Sequence, residues 1–237
     1  SILSRDKGTP QGSVISPLIS NVFLHHVFDT WMAEHYSEIP FERFADDLIL
    51  HCKTKAQAES IRKALTQRLA SWQLEVIEDK TRIVYCKDSN RKGPYEPHLF
   101  TFLGYTFKPR VAENRRTRAI FTSFLPAISS GAVCNIHESI RDWQLSRRTQ
   151  TSLDALAEEL NEQIRGWLNY YGKFYPSALD PLFNHIDACL LRWVLRKYKS
   201  LKRSPRRGRA WLAGLQSRAP ALLAHWTVKT AGVTRAV

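Results

Sequence analysis

Two adjacent acidic residues, Asp46 and Asp47, stand between two short apolar runs within residues 41–52. Runs of this length are typical of β-strands, and polar residues between them are typical of a tight turn. The pattern therefore predicts a β-hairpin with both carboxylates at its turn. Such a turn lets the two carboxylates approach one point, where a hard cation such as Mg²⁺ prefers oxygen ligands. Acid pairs in turns are also common on solvated surfaces without a catalytic role, so the surrounding sequence must decide between the two interpretations.

Apolar residues at helical spacing precede and follow the predicted hairpin. Residues 16–36 predict a buried helix that follows a tight loop, and residues 55–72 predict a second helix. Short apolar runs then predict four further strands, over residues 74–77, 83–86, 99–103 and 105–108, with a charged loop at residues 87–97.

The pattern changes near Phe124, where the strand signal fades and long helical periods begin. Residues 153–171 keep one face apolar over nearly five turns, and residues 182–193 do the same for another helix. The sequence therefore predicts an α+β fold. Residues 1–124 would form an antiparallel sheet with packed helices, and residues 125–237 would form an all-α domain. The predicted boundary lies near Leu125 and Pro126.

The positive charge is concentrated in the predicted helical part. The chain of 237 residues carries a net charge of +13, with 18 basic and 14 acidic residues up to Phe124 and 17 against 8 beyond it. Such an excess favours a polyanionic partner. Between Leu190 and Ala210 no acid occurs, and aromatic residues interleave with nine basic ones that predict nucleic-acid contacts: Arg192, Arg196, Lys197, Lys199, Lys202, Arg203, Arg206, Arg207 and Arg209.

Composition and spacing argue against several classes of protein. Four cysteines without a Cys-x-x-Cys pair fit neither a zinc ribbon nor a dense disulfide framework, so reduced thiols are expected. No apolar stretch reaches the roughly 20 residues that a membrane span needs. The N-terminus resembles no signal peptide, so we expect a cytoplasmic (bacterial) or organellar protein that is not secreted. The start also lacks an initiator Met, which suggests truncation.

Four ordered motifs resemble the palm of reverse transcriptases of the group II intron type. They are Gly-Thr-Pro-Gln-Gly-Ser at residues 8–13, Phe-Ala-Asp-Asp at 44–47, Asp-Lys-Thr at 79–81 and Phe-Leu-Gly-Tyr at 102–105. In that family the first motif lines the nucleotide pocket, the acid pair binds two Mg²⁺ ions, and the Phe-Leu-Gly block lies by the primer strand. The order and spacing of all four blocks carry the resemblance.

The resemblance implies a role for each matched residue. Asp46 and Asp47 would be catalytic metal ligands, and Lys80 would lie near the phosphates of the incoming nucleotide, where a cation stabilises charge or protonates pyrophosphate. The remaining matched residues would contact the nucleotide (Pro10, Gln11, Gly12 and Phe44) or the primer (Phe102, Leu103 and Gly104).

Two features depart from the family's pattern. Phe44 replaces the tyrosine that more often precedes Ala-Asp-Asp, which removes a hydroxyl but keeps a ring. The third metal-binding aspartate of the family lies upstream of the Pro-Gln-Gly loop, and only seven residues precede Gly8 here. Because two-metal catalysis needs bridging carboxylates, we expect this chain alone not to polymerise. Fingers and upper palm would have to be supplied covalently or by a partner chain.

The second half resembles the thumb and maturase-specific domain of group II intron proteins, through residues 164–172 and 223–226. The implied function is an RNA-directed DNA polymerase of a mobile intron that also binds intron RNA and aids its splicing. Implied partners are intron RNA, an RNA template, a DNA primer and deoxynucleotide triphosphates, with Mg²⁺ as cofactor. Two alternatives stay open: a non-enzymatic intron-RNA-binding splicing factor, and a related non-intron reverse transcriptase of the defence type.

Overall fold

The computed structural model describes residues 14–114 and 116–228, which divide into two units between Tyr85 and Cys86. Both units contain helices and antiparallel strands, so the α+β prediction is confirmed. The predicted change to helices near residue 125 comes slightly later, because a strand runs through Leu125 and Pro126 to Ile128. A functional division between residues 124 and 125 stays a prediction.

The first unit is a hairpin packed on helices. Helix α1 (Ser16–Leu24) continues through a π-helical turn (His25–Asp29) into α2 (Thr30–His35). Strands β1 (Phe41–Phe44) and β2 (Asp47–Leu50) pair antiparallel, and α3 (Lys55–Ser71) follows. Thr54 caps α3 by accepting the Gln57 amide at 3.1 Å. The buried core comes from the π turn, α2, α3 and one loop residue: Val27, Phe28, Met32, Ile39, Ile61, Leu65 and Leu69.

Two expectations about this unit are wrong. Residues 74–77 and 83–86 form no strand in the described structure, although Ile77 and Thr81 have extended backbone around a 3₁₀ turn (Glu78–Lys80). Their apolar alternation has another cause, because Leu74 and Val76 pack on the helical core rather than in a sheet. A strand needs a hydrogen-bonding partner as well as an apolar face.

Helix α1 is also not buried as the sequence pattern predicts. Leu18, Ile19, Val22 and Phe23 are 37–63% exposed, whereas the next periodic residue, Val27, is fully buried. Helical periodicity identifies an apolar face but not what covers it. Among the described residues, the buried apolar side chains of this continuous helix begin at the π turn.

The second unit joins a sheet to a helical bundle. Strands β3 (Phe100–Phe102), β4 (Tyr105–Glu113) and β5 (Ile120–Ile128) form an antiparallel sheet in that order. The predicted strands at 99–103 and 105–108 are thereby confirmed, and the second is longer than expected. The helices that follow are α4 (Ser130–Asp142), α5 (Leu153–Tyr171), α6 (Asp180–Lys197) and α7 (Pro205–Arg218).

Serine side chains start three of these helices. Ser129, Ser152 and Ser204 accept the backbone N–H three residues later, at 3.1–3.3 Å. Each cap satisfies one N–H that the first helical turn leaves without a partner, and contributes about 1 kcal/mol. The helical boundaries predicted for residues 153–171 are confirmed.

Helices α5 and α6 contribute the larger shares of the core of the helical part, through the apolar faces that their spacing predicts. Leu156, Leu160 and Ile164 of α5 are fully buried, as are Ile186 and Leu190 of α6. Each such side chain contributes about 1.5–3 kcal/mol through burial. The apolar faces of both helices thus belong to the one buried cluster that stabilises the helical part.

Buried polar side chains fix the last described segment. Asn161 of α5 donates to the carbonyl of Leu222 at 2.9 Å and accepts the Ala224 amide at 2.7 Å. Asp187 of α6 contacts Nε2 of His225 at 2.8 Å and accepts the Trp226 indole N–H at 3.0 Å. These contacts tie the Leu-Ala-His-Trp motif to α5 and α6. Among the described helices, none is long and apolar enough to span a membrane.

Candidate active site and nucleic-acid interface

The acid pair lies at the end of a two-stranded hairpin, as the sequence predicts. Phe44 pairs with Asp47, so the loop consists of Ala45 and Asp46, and Ala45 has a positive φ of 52°. Both aspartates are exposed. Neither forms a hydrogen bond or ion pair with another described residue. The turn therefore presents two solvated carboxylates at adjacent positions.

A partly buried ion pair holds this turn. The Arg43 guanidinium donates from Nε and Nη2 to the two carboxylate oxygens of Asp29 at 2.7 and 2.6 Å. Its Nη1 donates to Oδ1 of Asn21 at 2.8 Å and to the carbonyl of Ala45 at 3.2 Å. Such bidentate, charge-assisted bonds are short and directional. Arg43 thus ties the residue before Asp46 to the α1–π–α2 helix.

The π-helical turn supplies the acceptor. Asp29 ends this turn, and π turns inside α-helices are frequent at functional sites. The Arg43 hydrogen bonds lower the pKa of Asp29, with a further contribution from His25, whose Nδ1 lies 3.2 Å from the carboxylate. The same pair raises the pKa of Arg43. Both groups therefore stay charged and bonded at neutral pH.

Sequence reasoning did not identify Arg43 and Asp29, although a signal existed. Side chains alternate along a strand, so Arg43 must lie on the same face as Phe41. Phe41 packs edge-to-face on Phe28, with ring centroids 5.0 Å apart. A charged residue on a core-facing position needs a buried partner. Arg43 at that position therefore predicts an acid on a neighbouring element.

The acid pair suits one Mg²⁺ that keeps several waters. Mg²⁺ is commonly bound through one or two carboxylates together with substrate phosphates. No group of three or more His, Cys, Asp or Glu side chains with metal-binding geometry occurs within residues 14–114 and 116–228. The carboxylates of Asp46 and Asp47 are of the type that Mg²⁺ prefers, and the described residues bring no third such side chain to them.

The other predicted palm residues belong to different segments of the chain. Phe44 points away from the core face and is 59% exposed, next to the acid pair. Lys80 is exposed in the 3₁₀ turn, and among described residues it forms no ion pair with Asp46 or Asp47. The predicted nucleotide cradle, Pro10, Gln11 and Gly12, lies outside the described residues.

The Phe-Leu-Gly motif forms a second hairpin turn, in the other unit. Phe102 pairs with Tyr105, and the two loop residues, Leu103 and Gly104, have φ of 49° and 76°. Tyr170, near the end of α5, donates its hydroxyl to the carbonyl of Leu103 at 2.8 Å. In return Tyr105 donates its hydroxyl to the carbonyl of Tyr170. The turn is thereby fixed to the end of the long helix.

An aromatic cluster surrounds this turn. The ring of Tyr105 lies 5.2–5.6 Å, centroid to centroid, from those of Tyr170, Tyr171 and Phe174. A Cβ at Gly104 would come within 2.9 Å of the Tyr171 hydroxyl oxygen. Glycine is therefore favoured at this position both by the left-handed backbone and by the close tyrosine. Leu103 remains 37% exposed beside it.

The predicted nucleic-acid-binding residues cluster at the end of α6 and the start of α7. Eight of the nine are exposed: Arg192, Arg196, Lys199, Lys202, Arg203, Arg206, Arg207 and Arg209. Lys197 differs, because its ammonium donates to the carbonyls of Thr149 and Thr151 at 2.7 and 2.8 Å. That ammonium also lies 5.2 Å from the Trp193 ring centroid. Lys197 is thus bound to the loop before α5. Arg196 also donates to a carbonyl, that of Ser146 at 3.2 Å, but stays exposed, and phosphate contacts by the eight exposed cations remain a prediction.

Two family models match the chain. One, described as "Reverse transcriptase (RNA-dependent DNA polymerase)", matches residues 2–107, and the other, "Group II intron, maturase-specific domain", matches residues 133–211. A curated relative, Protein YkfC of Escherichia coli (strain K12), is 31% identical over an alignment that covers 42% of this chain and 32% of the relative. The chain therefore spans about a third of the length of that relative.

Proposed function

The chain belongs to the group II intron reverse transcriptase/maturase family, and we propose that it serves RNA-directed DNA synthesis and intron splicing through two separate surfaces. The first is the acid-bearing turn of residues 44–47. The second is the exposed basic surface of the second unit, formed by the eight exposed cations between Arg192 and Arg209. The observation that carries the proposal is the exposed Asp46-Asp47 turn, held in place by the Arg43–Asp29 pair.

Asp46 and Asp47 are the proposed ligands for Mg²⁺. When bound, the ion lowers the charge density on the nucleotide phosphates and on the reacting oxygens. Arg43 is a positioning residue, since it fixes the carbonyl of Ala45 and with it the backbone before Asp46. Phe44 offers an exposed ring beside the acids for the nucleotide or the primer end.

The proposed roles of the remaining residues follow from their chemistry. Lys80 offers an exposed ammonium for the phosphates of the incoming nucleotide. Pro10, Gln11 and Gly12 are proposed to line the nucleotide pocket. Phe102, Leu103 and Gly104 form a fixed turn that suits contact with the primer strand, because the tyrosine cluster removes its freedom to move.

We also propose that polymerisation needs a further carboxylate from outside the described residues. Two-metal catalysis uses carboxylates that bridge both ions, and the described residues supply only the adjacent pair. The missing ligand would come from more of the reverse transcriptase domain, either in the same polypeptide or in a partner chain.

Metal binding by the turn is directly testable with Mn²⁺, a paramagnetic substitute for Mg²⁺. Electron paramagnetic resonance titration should detect weak Mn²⁺ binding that Asp46→Asn and Asp47→Asn each abolish. Glu78 and Asp79 provide a matched control, because they are also adjacent, exposed acids in the first unit. If Glu78→Gln with Asp79→Asn removes the signal instead, the hairpin is not the metal site.

Polymerase activity is testable by primer extension on an RNA template. The chain alone should extend no primer, whereas a fusion to the upstream part of a relative's reverse transcriptase domain should do so. Asp46→Ala in that fusion should abolish extension. Persistent extension by the Asp46→Ala fusion would rule out the acid pair as catalytic.

A non-enzymatic splicing factor is the second candidate, favoured by the basic surface and by the incomplete acid set among described residues. The maturase-specific match argues against a defence-type reverse transcriptase. Replacing Arg203, Arg206 and Arg207 by Ala should weaken intron-RNA binding and flatten its dependence on salt concentration, because fewer counterions are released. If the affinity for intron RNA and its dependence on salt concentration do not change, the basic surface is not the RNA-binding site.

A further inference from the structure

A concave site opens beside the basic surface of the second unit. Its volume is about 290 Å³, and its walls come from the loop before α5, the first turn of α5, the end of α6 and α7. Tyr198 and Trp211 provide the aromatic wall, with ring centroids 5.1 Å apart, and both rings are half-buried. Pockets for drug-sized ligands begin near 300 Å³, so this cavity suits a single flat ring system.

The cavity also has polar lining residues, on a loop that is held in position. Gln150 and Asp154 both line the cavity and are exposed. Lys197 donates to the carbonyls on either side of Gln150, those of Thr149 and Thr151, at 2.7 and 2.8 Å. These two bonds hold the loop in position, so little ordering of the wall is needed when a ligand enters.

Charged residues at and near the cavity favour different parts of a nucleotide. Lys199 directly follows Tyr198, and Arg207 lies four residues before Trp211, on the same face of α7. These cations favour an anionic backbone at the rim. Asp154 and Lys197 both line the cavity. The Lys197 ammonium donates to the Thr149 and Thr151 carbonyls, whereas a carboxylate at Asp154 repels phosphate and accepts only N–H or O–H donors.

We propose that this cavity takes one unstacked base of single-stranded RNA, and guanine in preference to uracil. Single-stranded bases are commonly recognised by stacking on aromatic side chains and by hydrogen bonds to their edges. Guanine presents its N1–H and its amino group side by side, which matches the two oxygens of Asp154. Uracil presents one N–H between two carbonyls, which the carboxylate repels. The inference rests on the proposed binding of RNA by the basic surface and adds base selectivity to it.

The probes are two eight-nucleotide RNAs, oligo(U) and the same sequence with one central guanosine, whose binding is followed by fluorescence anisotropy. The guanosine-containing RNA should bind about ten-fold more tightly, from stacking and edge contacts of one base. Asp154→Asn and Trp211→Leu should each reduce its affinity to that of oligo(U). Both variants should leave the salt dependence of oligo(U) binding unchanged.

Matched controls separate the cavity from general effects. Glu158 is an exposed acid one turn further along α5, outside the cavity lining, and Glu158→Gln should retain the ten-fold preference. Trp72 is 43% exposed in the first unit, and Trp72→Leu should retain it too. Circular dichroism will show whether Trp211→Leu keeps its helical structure. If it does not, Asp154→Asn and Tyr198→Leu are the two variants in which loss of the preference is tested.

The outcomes distinguish this inference from the function on which it rests. Equal, salt-dependent binding of both RNAs by the unmodified chain would overturn the base site and leave RNA binding standing. A preference that survives both Asp154→Asn and Trp211→Leu would overturn the base site as well. Failure to bind either RNA at low salt would overturn RNA binding and the base site together.

Discussion

The two hairpin turns that carry family motifs are built alike and held differently. Each has a two-residue loop that begins with a positive φ, at Ala45 in the first unit and at Leu103 in the second. The first turn is tied to its helix by the charge-assisted bonds of Arg43 and Asp29. The second is tied by tyrosine rings and hydroxyls. The same local geometry can thus rest on electrostatics or on aromatic packing, and the two respond to different perturbations.

The largest effect is expected from Arg43→Ala, which leaves the mostly buried Asp29 carboxylate without its partner. The first unit should lose about 2–3 kcal/mol of stability, because removing one member of such a pair leaves an uncompensated charge. Hydrogen exchange of peptides from residues 41–50 should accelerate, while the second unit should be unaffected. The control is Arg118→Ala. Arg118 forms a largely exposed ion pair with Glu113 at 3.0 Å, so its loss should lower the free energy of unfolding by less than about 0.5 kcal/mol. Equal effects of both substitutions would contradict the proposed anchoring.

Gly104→Ala should have the next largest effect, now confined to the second unit. A Cβ there meets the Tyr171 hydroxyl oxygen at 2.9 Å and forces an L-residue into the left-handed region, at a cost of about 2 kcal/mol. Urea unfolding monitored by tyrosine and tryptophan fluorescence measures it. Gly131→Ala is the matched control, since no atom lies within 4 Å of its added Cβ and it sits in the first turn of α4. That control should be neutral or slightly stabilising. A comparable loss of stability in Gly131→Ala would show that the turn places no particular demand for glycine at residue 104.

Changes of pH should separate the two turns without mutation. The folded-state pKa of Asp29 is lowered below 3.8 by Arg43, so the stability from this pair is present above that value and is lost as pH falls below it. Burial raises the pKa values of Tyr105 and Tyr171 above 10.0, so stability from the tyrosine cluster is present below pH 10 and is lost as pH rises above it. Hydrogen exchange of residues 41–50 should therefore accelerate first in acid, and that of residues 100–107 first in alkali. The reverse order would refute the assignment of the two anchors.

Tyr170→Phe should give the smallest effect, because it removes one exposed hydroxyl hydrogen bond at 2.8 Å and keeps the ring in the cluster. We expect a loss of about 0.5–1 kcal/mol, the usual net contribution of one such bond. Tyr175→Phe is the control, since its hydroxyl lies 3.5 Å from the carbonyl of Val111 and contributes little. Thermal unfolding of both variants, compared with the parent chain, measures the difference. A larger loss for Tyr175→Phe would show that hydroxyl bonding does not fix the Phe-Leu-Gly turn.

Much of the fold was predictable where local pattern and final packing agree. The hairpin around Asp46 and Asp47, helix α5 and the short Phe-Leu-Gly hairpin all follow from spacing that needs few distant contacts. Residues 74–77 and 83–86 failed as strands because pairing depends on a partner that local sequence does not specify. The role of Lys197 was missed for a similar reason, since the carbonyls it binds lie more than 45 residues earlier.

The sequence by itself determined the family, the position of the acid pair and the concentration of cations in the helical part, because motifs, turn chemistry and composition are local properties. Only the tertiary structure decided which side chains hold the two turns and which surround the Tyr198–Trp211 cavity. Hydrogen bonds and ring contacts act over a few ångströms in space. The bonds from Arg43 to Asp29 and from Tyr170 to Leu103 join residues 14 and 67 positions apart along the chain, and folding alone brings these residues together.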